Sequence, residues 1–241
     1  MLKTALVLIL GVPYTIFLIS VEIAVCKIRV SENFARKIAQ TWARGILVLC
    51  GLSVRVVGAE HLFKREAYVF VANHASMLDI AILLGYLPSP FLWLAKKELF
   101  RLPMFGAGIR YIGSIPIDRG HPRAAIKSMR TAANRVKGGA SIVVFPEGTR
   151  SRDGRMKPFK AGAFHLAKQS GRPMVPVALL GARRALPAES LRIRRVPLVL
   201  VITPPIPTAG VEIDKNELAR MAFERIQRVQ DECEPGFGKE S

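Results

Sequence analysis

Residues 67–79 read AYVFVANHASMLD, and this stretch decides the predicted fold. Ala67–Ala72 is a continuous apolar run, which is typical of a strand buried on both faces. Asn73 and His74 follow it, and an apolar helical pattern then runs from Ile80 to Leu87. A buried strand that passes through a short polar turn into a helix is the repeating unit of α/β proteins.

The same alternation continues along the chain after Gly51. Further strands are predicted at Ser53–Val57, Phe91–Ala95, Ser114–Ile117, Ser141–Phe145, Met174–Leu180 and Leu198–Thr203. Helices are predicted at Pro122–Lys137, at Ala161–Gln169 and from Asp214 onward. We therefore predict an α/β fold, a single domain with a largely buried mixed sheet flanked by helices.

The first fifty residues follow a different pattern. Ala5–Val21 contains no charged residue, but it is near the lower limit for a spanning helix and Pro13 interrupts it. A transmembrane helix and a helix dipping into one leaflet both fit. A cleaved signal peptide is disfavoured, because Glu22 lies where a small-residue cleavage site is needed.

A second helix is predicted at Ser31–Leu49, with Ser31 as its N-cap and Gly51 ending it. Apolar residues recur on it at helical spacing among basic ones, so it fits either a membrane interface or the protein core. The two helices together predict a membrane-docking hairpin that precedes the sheet.

The charge balance points to anionic partners. The chain has 36 Lys and Arg against 18 Asp and Glu, a net charge of +18, and half of its residues are hydrophobic. A chain that is both apolar and basic favours a membrane surface over nucleic acid, and no nucleic-acid-binding motif is evident. Cys26, Cys50 and Cys233 are too far apart to indicate a disulfide framework or a metal site.

His74 and Asp79 form the first candidate site, directly after the buried strand. If His74 lies on the turn and Asp79 on the first helical turn, with Ser76 as N-cap, the carboxylate can orient the imidazole. The other ring nitrogen is then free to take a proton from an alcohol. Alternatively, Asp79 merely caps the helix.

The second cluster, residues 145–151, reads FPEGTRS and also follows a strand. Gly148 permits close backbone approach, and Thr149 and Arg150 supply hydrogen-bond donors for a phosphate or carboxylate. Glu147 is followed by several basic residues, so it is expected to stay ionised and to pair with an arginine or accept from a substrate hydroxyl. A solvated turn with a structural ion pair is the alternative.

Two weaker motifs complete the series. GSIPIDR at 113–119 has a proline in the middle of a predicted strand, so its backbone pairing is in doubt, and alone it fits a surface turn. VPVA at 175–178 alone fits a core strand.

The chain resembles the glycerolipid acyltransferase family over residues 50–205, closest to the 1-acylglycerol-3-phosphate O-acyltransferases. The resemblance rests on the order of the four motifs. It implies that His74 is the general base and Asp79 its partner. It also implies a glycerol phosphate site and a pocket shaped by Val175 and Pro176. The residues implied for the glycerol phosphate site are Arg119, Glu147, Gly148, Thr149 and Arg150.

The implied reaction transfers a fatty acyl group from acyl-CoA or acyl carrier protein to lysophosphatidic acid, giving phosphatidic acid, without cofactor or metal. Backbone amides after His74 are the expected oxyanion donors. The implied location is the inner or another membrane, with anionic lipids as partners and the active site on the cytoplasmic side. Residues 1–50 would be membrane-associated helices and residues 51–241 the acyltransferase domain.

Other acceptors stay open, namely a lyso-ornithine lipid, another lysophospholipid or glycerol 3-phosphate. A non-catalytic basic membrane-surface protein is a remote alternative, which the combination of His74, Asp79 and Glu147 disfavours.

Overall fold

The computed structural model describes residues 2–29, 31–118 and 120–233, which form a seven-stranded mixed sheet covered by helices. The strand order is β1-β7-β6-β2-β5-β3-β4, and only the β6–β7 pair is antiparallel. The strands are β1 Val54–Val57, β2 Val69–Ala72, β3 Phe91–Lys96, β4 Ile115–Ile117, β5 Ser141–Val144, β6 Met174–Leu180 and β7 Leu198–Ile202. The predicted fold class is confirmed.

Eight α-helices lie within the described residues, and two short 3₁₀ turns accompany them. The helices are α1 Leu2–Ile28, α2 Glu32–Leu49, α3 Leu78–Tyr86, α4 Phe105–Tyr111, α5 Pro122–Lys137, α6 Gly162–Ser170, α7 Ala182–Ala185 and α8 Lys215–Cys233. The sequence did not predict α4 or α7. Ser31 caps α2 as expected, because its Oγ accepts the Phe34 amide at 3.3 Å.

The core has two main parts, one on each face of the sheet. On one face, α2 and α3 pack against the sheet through residues such as Leu47 and Ile82. On the other, α5, α6 and α8 pack through Val136, Phe164 and Leu218. Because β2 lies near the middle of the sheet, all four of its residues are buried, as its continuous apolar run predicted.

Strand β4 accommodates Pro116 because it lies at the edge of the sheet. It pairs only with β3, and Pro116 is exposed. The N–H that Pro116 lacks therefore costs the sheet no hydrogen bond. The Pro116 carbonyl accepts the Ser128 hydroxyl at 2.8 Å. The doubt about backbone pairing in this motif is therefore resolved in favour of a strand.

Helices α1 and α2 form an antiparallel hairpin. The Tyr14 hydroxyl donates to the Thr41 carbonyl at 2.8 Å, and the Trp42 Nε1 donates to the Thr15 hydroxyl at 2.9 Å. Helix α1 continues through Pro13, and the Thr15 hydroxyl donates to the Gly11 carbonyl at 2.7 Å.

Within the described part of the chain, α1 is the one helix long and apolar enough to cross a membrane. Large apolar side chains on it, such as Ile9 and Phe17, are exposed. Helix α2 differs, since its Ala35, Ala43 and Leu47 are buried in the same core as the sheet. Its amphipathic pattern thus reflects packing on the protein, which was one of the two alternatives.

Candidate active site

The two main motifs lie at the carboxyl ends of neighbouring strands. Strands β2 and β5 run parallel and pair directly, and His74 follows β2 as Glu147 follows β5. Carboxyl ends of parallel strands meet at one edge of a sheet, which is where open α/β folds place ligand sites. The topology therefore brings together two sequence clusters that lie 73 residues apart.

Asp79 orients His74, as the sequence predicted. The His74 Nδ1 lies 2.8 Å from Asp79 Oδ2, and Asp79 is on the first turn of α3 and almost fully buried. The same oxygen accepts the Ala75 amide at 2.7 Å and the Ser76 amide at 2.8 Å. Asp79 thus both orients the ring and fixes the turn that carries it.

Two expectations for this turn are wrong. Helix α3 begins at Leu78 with Met77 at the N-cap position, so Ser76 is not the cap, although its Oγ accepts the Leu78 amide at 3.2 Å. The amides of Ala75 and Ser76 donate to Asp79 and are not available for an oxyanion.

The imidazole is also held by ring stacking. The His74 ring lies on the Phe145 ring, with centroids 4.0 Å apart and planes 15° from parallel. Phe145 in turn stacks on Trp93, with centroids 5.6 Å apart. The His74 side chain is 15% exposed, so it is accessible from one side while its plane is fixed.

Glu147 joins the two motifs through the backbone. Its Oε1 accepts the His74 amide at 2.7 Å, and its Oε2 accepts the Lys157 amide at 3.0 Å. The His74 carbonyl accepts the Ser151 amide at 2.8 Å. Burial raises the pKa of Glu147, and the hydrogen bonds from the Lys157 and His74 amides partly oppose that rise. Both oxygens serve backbone amides, which differs from the expected contact with an arginine or a substrate hydroxyl.

The loop after Glu147 is partly exposed and basic. Gly148 has a φ of 76°, a conformation that a residue with a side chain adopts only with strain. The Lys157 ammonium donates to the Thr149 hydroxyl at 3.2 Å and to the Arg150 carbonyl at 3.1 Å. The Arg150 guanidinium makes no hydrogen bond to any of the described residues.

Arg119 lies outside the described residues, so its predicted role stays a prediction. The residue before it is placed, since the Asp118 carboxylate binds the Lys97 ammonium and accepts the Gly120 amide at 3.0 Å. The Lys97 ammonium, with the Gly120 amide, holds the pKa of Asp118 below its ordinary value. These contacts join the ends of β3 and β4 to each other.

An apolar cavity of about 250 Å³ opens beside His74. The sequence did not predict it, because α1, α2, α3, α4 and β3 all contribute to its wall. Its lining includes Leu18, Ile38, Trp42, Leu84, Trp93 and Ile109. Val175 and Pro176, which were expected to shape a pocket, are instead buried in β6 and do not line this cavity. Their simpler interpretation as a core strand is correct.

The chain matches the family model described as Acyltransferase over residues 53–180. A 1-acyl-sn-glycerol-3-phosphate acyltransferase of Limnanthes douglasii is 39% identical over 171 residues, covering 70% of this chain and 60% of that protein. The human alpha form of the same enzyme is 34% identical over 202 residues, covering 83% and 71%. The chain thus spans about 60% of the plant relative's length.

A solved structure is similar along nearly the whole chain. The 1-acyl-sn-glycerophosphate (LPA) acyltransferase of Thermotoga maritima superposes with a TM-score of 0.84 at 26% identity. The superposition covers 97% of this chain and 95% of that one. Since the family model covers more than half of the chain and a relative at 34% identity aligns over 83% of it, the chain belongs to the acyltransferase family.

Proposed function

We propose that the chain is a 1-acylglycerol-3-phosphate O-acyltransferase, which moves an acyl group from a thioester to the free hydroxyl of lysophosphatidic acid. The observation that carries the proposal is the position of His74. Its ring is oriented by Asp79 at 2.8 Å, and it lies between a basic loop and an apolar cavity. The relatives' names agree with this activity.

The chemistry begins at the second ring nitrogen. With Nδ1 bound to Asp79, Nε2 is the nitrogen that removes the proton from the lysolipid hydroxyl as its oxygen attacks the thioester carbon. The tetrahedral intermediate then collapses, the carbon–sulfur bond breaks, and the imidazolium returns its proton to the leaving thiolate. A positioned base of this kind contributes about 10²–10⁴-fold. The mechanism requires no acyl-enzyme, metal or cofactor.

The acceptor phosphate is proposed to bind at the basic loop. Arg150 offers two parallel donors, and Gly148 and Thr149 border it on the exposed side of the loop. Arg119 is the further cation expected there from the sequence. Glu147 supports this site by holding the His74 amide and the Lys157 amide, so we assign it a positioning role.

The acyl chain of the donor is proposed to lie in the cavity. That cavity has an apolar lining and reaches from His74 to the α1–α2 hairpin. A thioester carbonyl at its His74 end would place the reacting carbon beside the base. The donor is acyl-CoA or acyl carrier protein, and the net charge of +18 would attract the phosphates of the first or the acidic surface of the second.

Residues 1–50 are proposed to hold the enzyme at an anionic membrane, with the active site on the cytoplasmic face of the inner or another membrane. The exposed apolar surface of α1 supports this location. Residues 51–241 would then form the acyltransferase domain. Deletion of residues 1–30 should release the protein from membranes or make it aggregate, and a soluble, fully active product would contradict the proposal.

The decisive experiment is a panel of lysolipid acceptors with acyl-CoA and acyl-carrier-protein donors, with products identified by mass spectrometry. Phosphatidic acid should form with wild-type protein and not with His74→Ala. His165→Ala is the matched control, since His165 is exposed on α6. If transfer occurred only to a lyso-ornithine lipid or another acceptor, that lipid and not lysophosphatidic acid would be the substrate. Near-normal turnover of His74→Ala would remove His74 from the mechanism.

A further inference from the structure

Three residues that line the cavity beside His74 each carry a buried polar atom without a partner. Among the described residues, four buried side-chain polar atoms have no hydrogen-bond partner, and three of them belong to residues that line this cavity. They are Glu22 Oε1, Trp93 Nε1 and Ser114 Oγ, on residues that are 4%, 8% and 9% exposed. Buried polar atoms are nearly always paired in folded proteins, so three in one apolar cavity require an explanation.

The fold brings these three side chains to one region. In the β3–β4 pairing Leu94 lies opposite Ile115, which places Trp93 and Ser114 next to each other at the start of β4. The Ser114 amide donates to the Ile109 carbonyl of α4 at 3.0 Å. Trp93 and Ser114 therefore lie where α4 meets the sheet.

The Glu22 side chain of α1 also contacts α4. A Cβ on Gly108 would lie 2.9 Å from Glu22 Oε2, so the carboxyl group rests directly on the glycine. A larger residue at this position would push the Glu22 side chain away. Gly108 thus leaves room for a carboxyl group, although the other lining residues make the cavity apolar.

A plain hydrocarbon chain cannot pair these atoms, whereas one hydroxyl group can. A hydroxyl has one donor and two acceptor lone pairs. It can donate to the Glu22 carboxyl while it accepts from the Trp93 indole N–H and the Ser114 hydroxyl. The three orphaned atoms thus offer the acceptor and the donors that one alcohol can pair.

We infer that the cavity binds an acyl chain that carries a hydroxyl group, and that Glu22, Trp93 and Ser114 recognise this hydroxyl. This inference rests on the proposed function in that the cavity takes the acyl chain of the donor. It adds a substrate class, the hydroxyacyl thioesters. Trp93 is stacked on Phe145, which is stacked on His74, so the recognised hydroxyl lies towards the thioester end of the chain.

The test measures binding of free fatty acids, so it does not depend on catalysis. Hexadecanoic acid and a series of hydroxyhexadecanoic acids, differing only in hydroxyl position, compete with a fluorescent fatty acid for the full-length protein. We expect the acid with the hydroxyl at one particular position to bind about tenfold or more tightly than hexadecanoic acid, because the unsubstituted chain leaves buried polar groups unpaired.

Three variants locate the effect. Glu22→Leu should abolish the preference, and Ser114→Ala should reduce it with little risk to folding. Leu18→Ala is the control, since Leu18 lies one turn away on α1 and lines the same cavity, so it should weaken both classes of chain without changing their ratio.

Equal binding of hydroxylated and unsubstituted chains by wild-type protein would overturn the inference, since water would then satisfy the three atoms. A preference that survives in both Glu22→Leu and Ser114→Ala would also overturn it. Failure of every lysolipid acceptor in the transfer panel would overturn the proposed function instead. The two failures are therefore distinguishable.

Discussion

Replacement of Asp79 by asparagine is the sharpest test of the proposed chemistry. Asp79 Oδ2 accepts from the His74 ring and from the Ala75 and Ser76 amides, all between 2.7 and 2.8 Å. An asparagine oxygen can replace Oδ2 in the two backbone bonds. It cannot stabilise an imidazolium as a carboxylate does, so the change removes charge while keeping the shape of the turn.

The magnitude follows from these contacts. The same substitution in a Ser-His-Asp triad lowers kcat about 10⁴-fold, and we expect a loss of about 10³–10⁴-fold here. Hydrogen bonds to a charged group contribute about 1.5–3 kcal/mol and neutral ones about 1 kcal/mol. Relief of burying an ionised carboxylate offsets part of the difference. The expected loss of stability is therefore only about 1–3 kcal/mol.

Two measurements separate catalysis from folding. Thiol release from acyl-CoA gives turnover, and thermal unfolding followed by circular dichroism gives stability. Asp79→Ala should lose more stability than Asp79→Asn, because it leaves the Ala75 and Ser76 amides without their acceptor. Asp231→Asn, exposed on α8, should change neither quantity. If Asp79→Asn kept turnover within about threefold of wild type, the base-and-orienter mechanism would be refuted.

Three other substitutions test separate parts of the site and the hairpin. Arg150→Lys should raise the acceptor KM about tenfold or more with little change in kcat, because lysine lacks the two parallel donors of the guanidinium. Arg228→Lys, on the exposed face of α8, is the control. Unchanged kinetics of Arg150→Lys would remove Arg150 from the proposed phosphate site. The free energy of unfolding of wild-type protein should exceed that of Glu147→Gln at low pH, and this difference should shrink as pH rises. Burial raises the folded-state pKa of Glu147 above its ordinary 4.5, so its contribution is present below that value and is lost as pH rises through the folded pKa. Urea unfolding from pH 4 to 8 checks this, and a growing difference would contradict it. Gly45→Ala should destabilise the hairpin by about 1–3 kcal/mol, because its Cβ would overlap the Tyr14 ring. Gly11→Ala should be tolerated, since its Cβ would lie 3.5 Å from Ile46. Equal melting temperatures for the two variants would contradict this packing of the hairpin.

Local patterns were enough to predict most of the sheet, and the family resemblance added the pairing of His74 with Asp79. The continuous apolar run before His74 predicted a central buried strand, and Pro122 and Gly138 marked the ends of α5 correctly. The five-residue spacing of His74 and Asp79 allowed their contact but left a helix cap as the alternative, and the family resemblance favoured the contact that the structure shows. These features depend on neighbours within a few residues, which a single sequence records.

The features that were not predicted depend on distant residues. Helix α4 contains Gly106 and Gly108, which disfavour a helix locally, yet Gly106 packs closely on the Phe100 carbonyl and Gly108 on Glu22. Glu147 has cationic neighbours in sequence, but its partners are backbone amides, one of them 73 residues away. The cavity wall combines five elements, so no single stretch of sequence carries its pattern.

The structure also explains why the second motif should affect turnover as well as acceptor binding. The His74 amide is held by Glu147, its carbonyl by Ser151, and its ring by Asp79 and Phe145. Because its backbone and its ring are both held, His74 loses little conformational entropy when the substrate binds. Such preorganisation favours catalysis. A change at Glu147 releases the backbone of His74 directly, whereas it reaches the proposed phosphate site only through the Lys157 amide. Its kinetic effect should therefore appear in kcat, whereas a change at Arg150 should appear in the acceptor KM. Two residues three positions apart in one loop would then give opposite kinetic signatures, and a shared signature would show that they act as one binding element.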